Sequence, residues 1–99
     1  MSWKSRFSQL DVCNSLAMTL IQAIIDWCED AEDVAKCVER FSSVGLLYTA
    51  KRFAGTVNIL RDSIRFLESL PKNIYDICEE GFRRELISIS EELKSDEGG

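Results

Sequence analysis

The sequence predicts an all-α protein, a small four-helix and mainly antiparallel bundle built from helical hairpins. The chain has 99 residues, which suits one domain with one hydrophobic core. Five glycines and one proline are too few turn formers for many short strands. Apolar residues also recur at three- and four-residue steps along four segments, the spacing of one face of a helix. We expect one helical domain over residues 1–94 and a frayed acidic tail over 95–99.

The first predicted helix begins near Trp3 or Ser8 and ends at Cys28. Its apolar stripe consists of Leu10, Cys13, Ala17, Leu20, Ile24 and Trp27. Additional apolar residues widen that stripe well beyond one face: Val12, Leu16, Ile21 and Ile25. A helix that is apolar around most of its girth lies in the centre of a core or is buried by a second subunit. We therefore expect a homodimer through this helix, with self-association at Trp3, Phe7, Ile21 and Ile25.

Three more helices are predicted, over residues 31–51, over residues 54–70, and from Lys72 or Asn73 to residue 94. Gly45 lies in the middle of the second, where glycine costs about 1 kcal/mol relative to alanine, so we expect a neighbouring helix to approach closely there. Pro71 ends the third, because proline lacks an N–H and disfavours helical geometry in the residue before it. The predicted core residues are Leu20, Ile24, Phe41, Leu60, Ile64, Phe82 and Leu86.

An acidic stretch, DWCEDAEDVAKC, joins the first two predicted helices. It has no glycine and no alternating oxygen ligands, both of which a calcium loop needs. Asp30 is a candidate N-cap for the second helix, which makes the stretch a structural corner. The alternative is an acidic surface that binds a partner, formed by Asp26, Glu29, Asp30, Glu32 and Asp33.

Charge is unevenly distributed along the chain. The net charge is −5 and the pI is near 4.7, which disfavours a general phosphate-binding surface. The third predicted helix is nevertheless basic between two acidic helices. Four cations at or near this helix, Lys51, Arg52, Arg61 and Arg65, can pair with those acidic neighbours. Alternatively, Arg61 and Arg65, one turn apart, can form a docking point for an acidic partner. Both interpretations remain open.

The four cysteines, at positions 13, 28, 37 and 78, include no Cys-x-x-Cys pair, and the chain has no histidine. We therefore expect no metal and four free thiols that act as small hydrophobes. Polar residues interrupt the apolar segment 12–28, so no membrane span is predicted. Lys4 and Arg6 imitate the start of a signal peptide, but no small-residue cleavage site follows. A reduced, cytoplasmic protein is the resulting expectation.

Residues 41–71 resemble one tetratricopeptide repeat. Matches to its first helix are Phe41, Val44, Gly45 and Tyr48. Matches to its second helix, after one residue is deleted from the turn, are Phe53, Thr56, Leu60 and Ser63. No second copy follows at the repeat period of about 34 residues. The resemblance implies a helical hairpin, and we assign no family.

Catalysis has little support in the sequence. Histidine, the commonest general base, is absent, and no glycine-rich phosphate loop is present. We expect no enzyme and no cofactor. The predicted function is a non-catalytic protein–protein interaction module, an adaptor, assembly or regulatory subunit that binds another protein or itself, without direct nucleic-acid or membrane binding. The alternative is an acidic decoy, an inhibitor of the phage anti-defence type, that occupies a basic nucleic-acid-binding surface of a partner.

Overall fold

The structure, a computed structural model, describes the backbone of residues 3–56 and 60–98 and the side chains of residues 11–56 and 61–95. These residues form five α-helices and no strand. The helices are α1 Trp3–Cys28, α2 Val34–Val44, α3 Leu46–Phe53, α4 Leu60–Ser69 and α5 Lys72–Gly98. The all-α prediction is therefore confirmed, with five helices instead of four in the described chain. The antiparallel arrangement stays a prediction, as does fraying of the tail, although the helical backbone of α5 continues to Gly98.

The hydrophobic core lies mainly between α1, α2 and α5, which supply most of its fully buried side chains. Five predicted core residues are buried there, namely Leu20, Ile24, Phe41, Phe82 and Leu86. Ile64 is only half-buried and packs at the edge of the core, because α4 packs mainly against α3. The Leu60 side chain lies outside the described residues.

Gly45 divides the single helix predicted over residues 31–51 into α2 and α3. Its φ of 92° and ψ of 169° lie in a region that side-chain-bearing residues rarely adopt. A Cβ atom at this position would also collide with Oε1 of Glu79. The expected close approach is therefore real, but the neighbour is a carboxylate of α5 that bonds to the start of α3.

Asp33, and not Asp30, is the N-cap of α2. Its backbone is extended and its carboxylate accepts a hydrogen bond of 3.0 Å from the N–H of Lys36. Helix α2 therefore begins at Val34, three residues later than predicted. Pro71 opens α5 as well as ending α4, since its carbonyl accepts the N–H groups of Ile74 and Tyr75.

Two disulfides overturn the prediction of free thiols. Cys13–Cys78 joins α1 to α5, and Cys28–Cys37 joins the end of α1 to α2, with Cα–Cα distances of 6.0 and 5.8 Å. These are ordinary distances for bridged cysteines. The periodicity of each helix showed that every cysteine faces inward, but not which other cysteine it meets. Because such bonds persist in oxidising compartments, the structure points to an oxidising or extracellular setting, and the prediction of a reduced cytoplasmic protein was wrong.

The molecule is long and thin, with Cα extents of 49 × 27 × 17 Å. A helix is about 10 Å across with its side chains, so the shortest dimension holds about two layers of helices. Two layers leave part of the broad apolar surface of α1 uncovered. Val12, Met18 and Trp27 are each at least half exposed. None of the described helices has both the length and the hydropathy needed to cross a membrane.

Candidate functional site

Trp27 is the large aromatic side chain that the described fold leaves most exposed. It lies in the last turn of α1 beside the bridged Cys28, and its side chain is 56% exposed. Its ring packs edge-on against Phe41, with 6.0 Å between ring centroids and 82° between planes. Phe41 in turn contacts the buried Phe53 at 5.9 Å. This row of rings runs from the surface into the core. Trp27 is therefore exposed, but its ring is held in position by packing against Phe41.

Two arginines lie beside these rings. The guanidinium carbon of Arg52 is 5.3 Å from the Trp27 ring centroid and 5.8 Å from that of Phe41, within the range of a cation–π interaction. Arg40 lies next to Phe41 on α2 and is also exposed. Neither arginine forms a salt bridge with a residue that the structure describes. No carboxylate among the described residues therefore occupies their N–H donors.

The aromatic rings and the arginines line a cleft of about 240 Å³, which we call the Trp27 cleft. Its lining residues are Trp27, Cys37, Arg40, Phe41, Val44, Tyr48 and Arg52. Pockets for drug-sized ligands and cofactors have volumes of about 300–1,000 Å³, whereas an apolar cavity of about 150 Å³ accepts benzene. The size of the Trp27 cleft therefore suits one large side chain.

Local features of the sequence place these residues together. The Cys28–Cys37 disulfide ties the end of α1, with Trp27, to α2. The turn at Gly45 then separates two walls, one from α2 with Arg40, Phe41 and Val44 and one from α3 with Tyr48 and Arg52. The sequence had placed Trp27 in the apolar stripe of the first helix, Phe41 in the core and Tyr48 in the helical hairpin that resembles a repeat. Neither arginine was assigned to a binding site, because Arg52 was expected only to pair with the neighbouring acidic helices and no prediction was made for Arg40.

The predicted acidic surface lies partly beside this cleft. All five of its carboxylates are exposed. Two larger and more open recesses, of about 320 and 360 Å³, also include Trp27: the first contains Asp26, and the second contains Glu32 and Asp33. Asp33 is already used as the N-cap of α2, and Asp26 accepts a hydrogen bond of 3.0 Å from the Gln22 side chain. Glu29 and Asp30 lie in the turn, outside the lining of both recesses.

Arg61 and Arg65 are exposed on α4 and do not line the Trp27 cleft. Neither has an ion-pair partner among the described residues, so the predicted pairing with neighbouring acidic helices is not seen there. The interhelical salt bridge that the structure does show joins Lys94 of α5 to Glu39 of α2 at 3.0 Å. The role of Arg61 and Arg65 in partner binding stays a prediction.

The predicted self-association residues fall in different environments. Ile21 is only 3% exposed and belongs to the core of its own chain, and Ile25 is half-buried. The side chains of Trp3 and Phe7 lie outside the described residues. A dimer through α1 stays a prediction. A charged substitution at Ile21 is unsuitable as a test of it, because a buried charge there would unfold the chain.

A polar cluster at the start of α3 was not predicted from the sequence. Glu79 Oε1 accepts the N–H of Leu46 at 3.2 Å, and the Tyr75 hydroxyl accepts the N–H of Leu47 at 3.1 Å. The Tyr75 hydroxyl also donates to Glu79 at 3.4 Å, and Arg83 lies 3.5 Å from the same carboxylate. These bonds satisfy the amides that a helix start leaves unpaired, so the cluster is structural.

Burial raises the pKa of Tyr75 above its ordinary value of 10.0, and the negative charge of Glu79 adds to the effect. This titration lies far above neutral pH, and the hydroxyl is already bonded on both sides. It offers no free acid or base for catalysis. The described residues also contain no group of histidine, cysteine or carboxylate side chains that could hold a metal ion.

No known family model, curated protein or solved structure matches this chain. The Trp27 cleft is therefore the feature from which a function has to be inferred.

Proposed function

We propose that this protein is a non-catalytic interaction module that binds a partner protein through the Trp27 cleft. The observation that carries the proposal is an exposed tryptophan that packs against Phe41 beside two arginines, neither of which forms an ion pair with a described residue. Tryptophan, tyrosine and arginine are enriched at protein interfaces and dominate their binding energy. The Trp27 cleft contains all three, with Tyr48 55% exposed at its edge.

The chemistry of the lining supports binding over catalysis. Arginine stays protonated at any accessible pH, and Cys37 is held in a disulfide. The lining residues include no carboxylate or histidine that could accept a proton. They do provide rigid apolar surface and hydrogen-bond donors, which is what a docked side chain needs.

Site-specific photo-crosslinking tests the proposal. A photoreactive phenylalanine analogue replaces Tyr48 in the oxidised protein, and the control carries it at Ile77, which is equally exposed on α5. We expect the analogue at position 48 to form a crosslink with a partner protein. This crosslink should be lost when Trp27→Ala is added, while circular dichroism shows an unchanged fold. Equal products from both positions, or products that survive Trp27→Ala, would reject the Trp27 cleft as the docking site.

The acidic decoy is the second candidate function. Its support is that Asp26, Glu29, Asp30, Glu32 and Asp33 are all exposed and none forms a salt bridge with a described residue. A decoy would bind a basic partner mainly through charge, so its affinity would fall steeply as salt rises. Binding that depends on Trp27 and changes little with salt would exclude the decoy.

A further inference from the structure

We infer that the Trp27 cleft receives a peptide segment of the partner that carries one large apolar side chain next to a single carboxylate. This inference rests on the proposed function and specifies the chemistry of its partner.

The apolar side chain follows from the floor and size of the Trp27 cleft. Trp27 and Phe41 meet edge to face, and the partly exposed Val44 extends the apolar surface beside them. A volume of about 240 Å³ accommodates one leucine, phenylalanine or similar side chain. A side chain docked there would also cover part of the exposed surface of Trp27, which adds to the apolar area buried on binding.

The carboxylate follows from Arg40 and Arg52. Both line the Trp27 cleft, and neither has an acidic partner among the described residues. The planar guanidinium group matches the two oxygens of a carboxylate and bonds to them in pairs. Contact with the Trp27 ring holds Arg52 in place, so little side-chain entropy is lost when an anion binds.

The restriction to one carboxylate follows from the acids next to the Trp27 cleft. Asp26 borders it on one side. On another, Glu32 and Asp33 line a recess that also contains Lys36 and the cleft's own Arg40, so three carboxylates outnumber the one additional cation. A single-stranded nucleic acid could stack bases on aromatic rings and place phosphates on arginines. It carries a phosphate at every nucleotide, however, and the chain that continues past the Trp27 cleft would meet these exposed carboxylates. A short segment with one anion next to its apolar side chain avoids that repulsion.

Selection from a display library of random short peptides on the oxidised full-length protein tests this inference. We expect selected peptides to share one large apolar residue with one neighbouring Asp or Glu. Their affinity should fall at least about tenfold in Arg40→Gln/Arg52→Gln. The matched control is Lys72→Gln/Arg84→Gln, which removes the same charge from exposed positions of α5 outside the Trp27 cleft and should leave affinity unchanged.

Several results would overturn the inference. These are selected peptides that are basic, uncharged or rich in acids, equal losses in the two double variants, and tighter binding of a single-stranded oligonucleotide than of any selected peptide. A dimer in sedimentation that Trp27→Ala dissociates would assign the Trp27 cleft to a second copy of the chain. If the photoreactive residue at position 48 gives a crosslink that depends on Trp27, but the selected peptides lack a carboxylate, only this inference fails. If no Trp27-dependent crosslink forms, the proposed function fails as well.

Discussion

Removing the Cys13–Cys78 disulfide should destabilise the protein more than removing Cys28–Cys37. A disulfide acts mainly by restricting the unfolded chain, and its effect grows with the length of the loop it closes. The two bonds span 65 and 9 residues. These lengths correspond to about 4 and about 2.5 kcal/mol of unfolding free energy. Because a small domain is stable by only about 5–15 kcal/mol, either loss is a large fraction of the total.

The comparison uses the double variants Cys13→Ala/Cys78→Ala and Cys28→Ala/Cys37→Ala. Alanine is the suitable replacement because all four sites are buried, and the hydroxyl of serine would lack a partner there. Guanidinium denaturation followed by far-UV circular dichroism gives the unfolding free energy of each variant. Both replacements remove two buried sulfur atoms, so the difference between the variants reflects loop length. Reductant should destabilise the wild-type protein at least as much as the more severe variant.

Thiol titration of the denatured, unreduced protein provides the direct control, and we expect no reactive thiol. Four reactive thiols, together with an unchanged denaturation midpoint in reductant, would show that the cysteines are free. A larger loss for Cys28→Ala/Cys37→Ala than for the other pair would refute the argument from loop length. The short loop would then stabilise the fold by another route, such as holding Trp27 against α2.

The remaining predictions concern the helix break, the core and the cluster at α3. Gly45→Ala should lower the free energy of unfolding by more than about 1 kcal/mol in thermal melts. Alanine disfavours the positive φ at this position, and its Cβ atom would collide with Glu79. Gly81→Ala, in open space within α5, should instead stabilise by up to about 1 kcal/mol, and a loss there would contradict this reasoning. Phe82→Ala should cost about 3–5 kcal/mol by chemical denaturation, and a loss below about 1 kcal/mol would place it outside the core. The raised pKa of Tyr75 means that its protonated hydroxyl stabilises the fold below about pH 10, and that this contribution is lost as pH rises further. Tyr75→Phe should flatten that alkaline loss in pH-dependent melts, and an unchanged slope would show that another group causes it.

Helix positions and inward faces could be predicted because both depend on nearby residues. The three- and four-residue spacing that includes Leu20, Ile24, Phe82 and Leu86 requires no knowledge of the partner helix, and all four are buried. The boundaries were less accurate. Gly45 was recognised as unfavourable within a helix. Its role as a helix break, however, depends on Glu79, which lies 34 positions later in the chain and accepts a hydrogen bond from the N–H of Leu46.

The disulfides could not be deduced from the same patterns. Four cysteines allow three complete pairings, and a cysteine in an apolar stripe looks the same whether it is bridged or free. One local signal did exist: Cys28 and Cys37 lie at the end of one predicted helix and near the start of the next. A short corner brings such positions together. Cys13 and Cys78 meet only because α1 packs against α5, which is a tertiary fact.

The Trp27 cleft was missed for a similar reason, since its walls come from three helices. The sequence did predict an interface on α1, because apolar residues lie around most of its circumference. Leu16 and Ile21 turn out to be covered by the chain's own core. The three exposed apolar residues on the described part of α1 do not all share a face. At 3.6 residues per turn, Met18 points about 120° away from Val12 and about 180° away from Trp27, whereas Val12 and Trp27 point within about 60° of each other.

Distance along α1 separates these residues further. At 1.5 Å per residue, Val12 and Trp27 lie about 22 Å apart along the helix axis. A partner that covered all three side chains of α1 would have to wrap around it, whereas a partner at Trp27 alone meets a continuous surface. Val44 and Tyr48, both partly exposed, line the same cleft as Trp27. Neighbouring apolar area is what an interface needs, because each covered residue also shields the next from water. The described part of α1 therefore favours an interface at its carboxyl end, with α2 and α3, over one along its length.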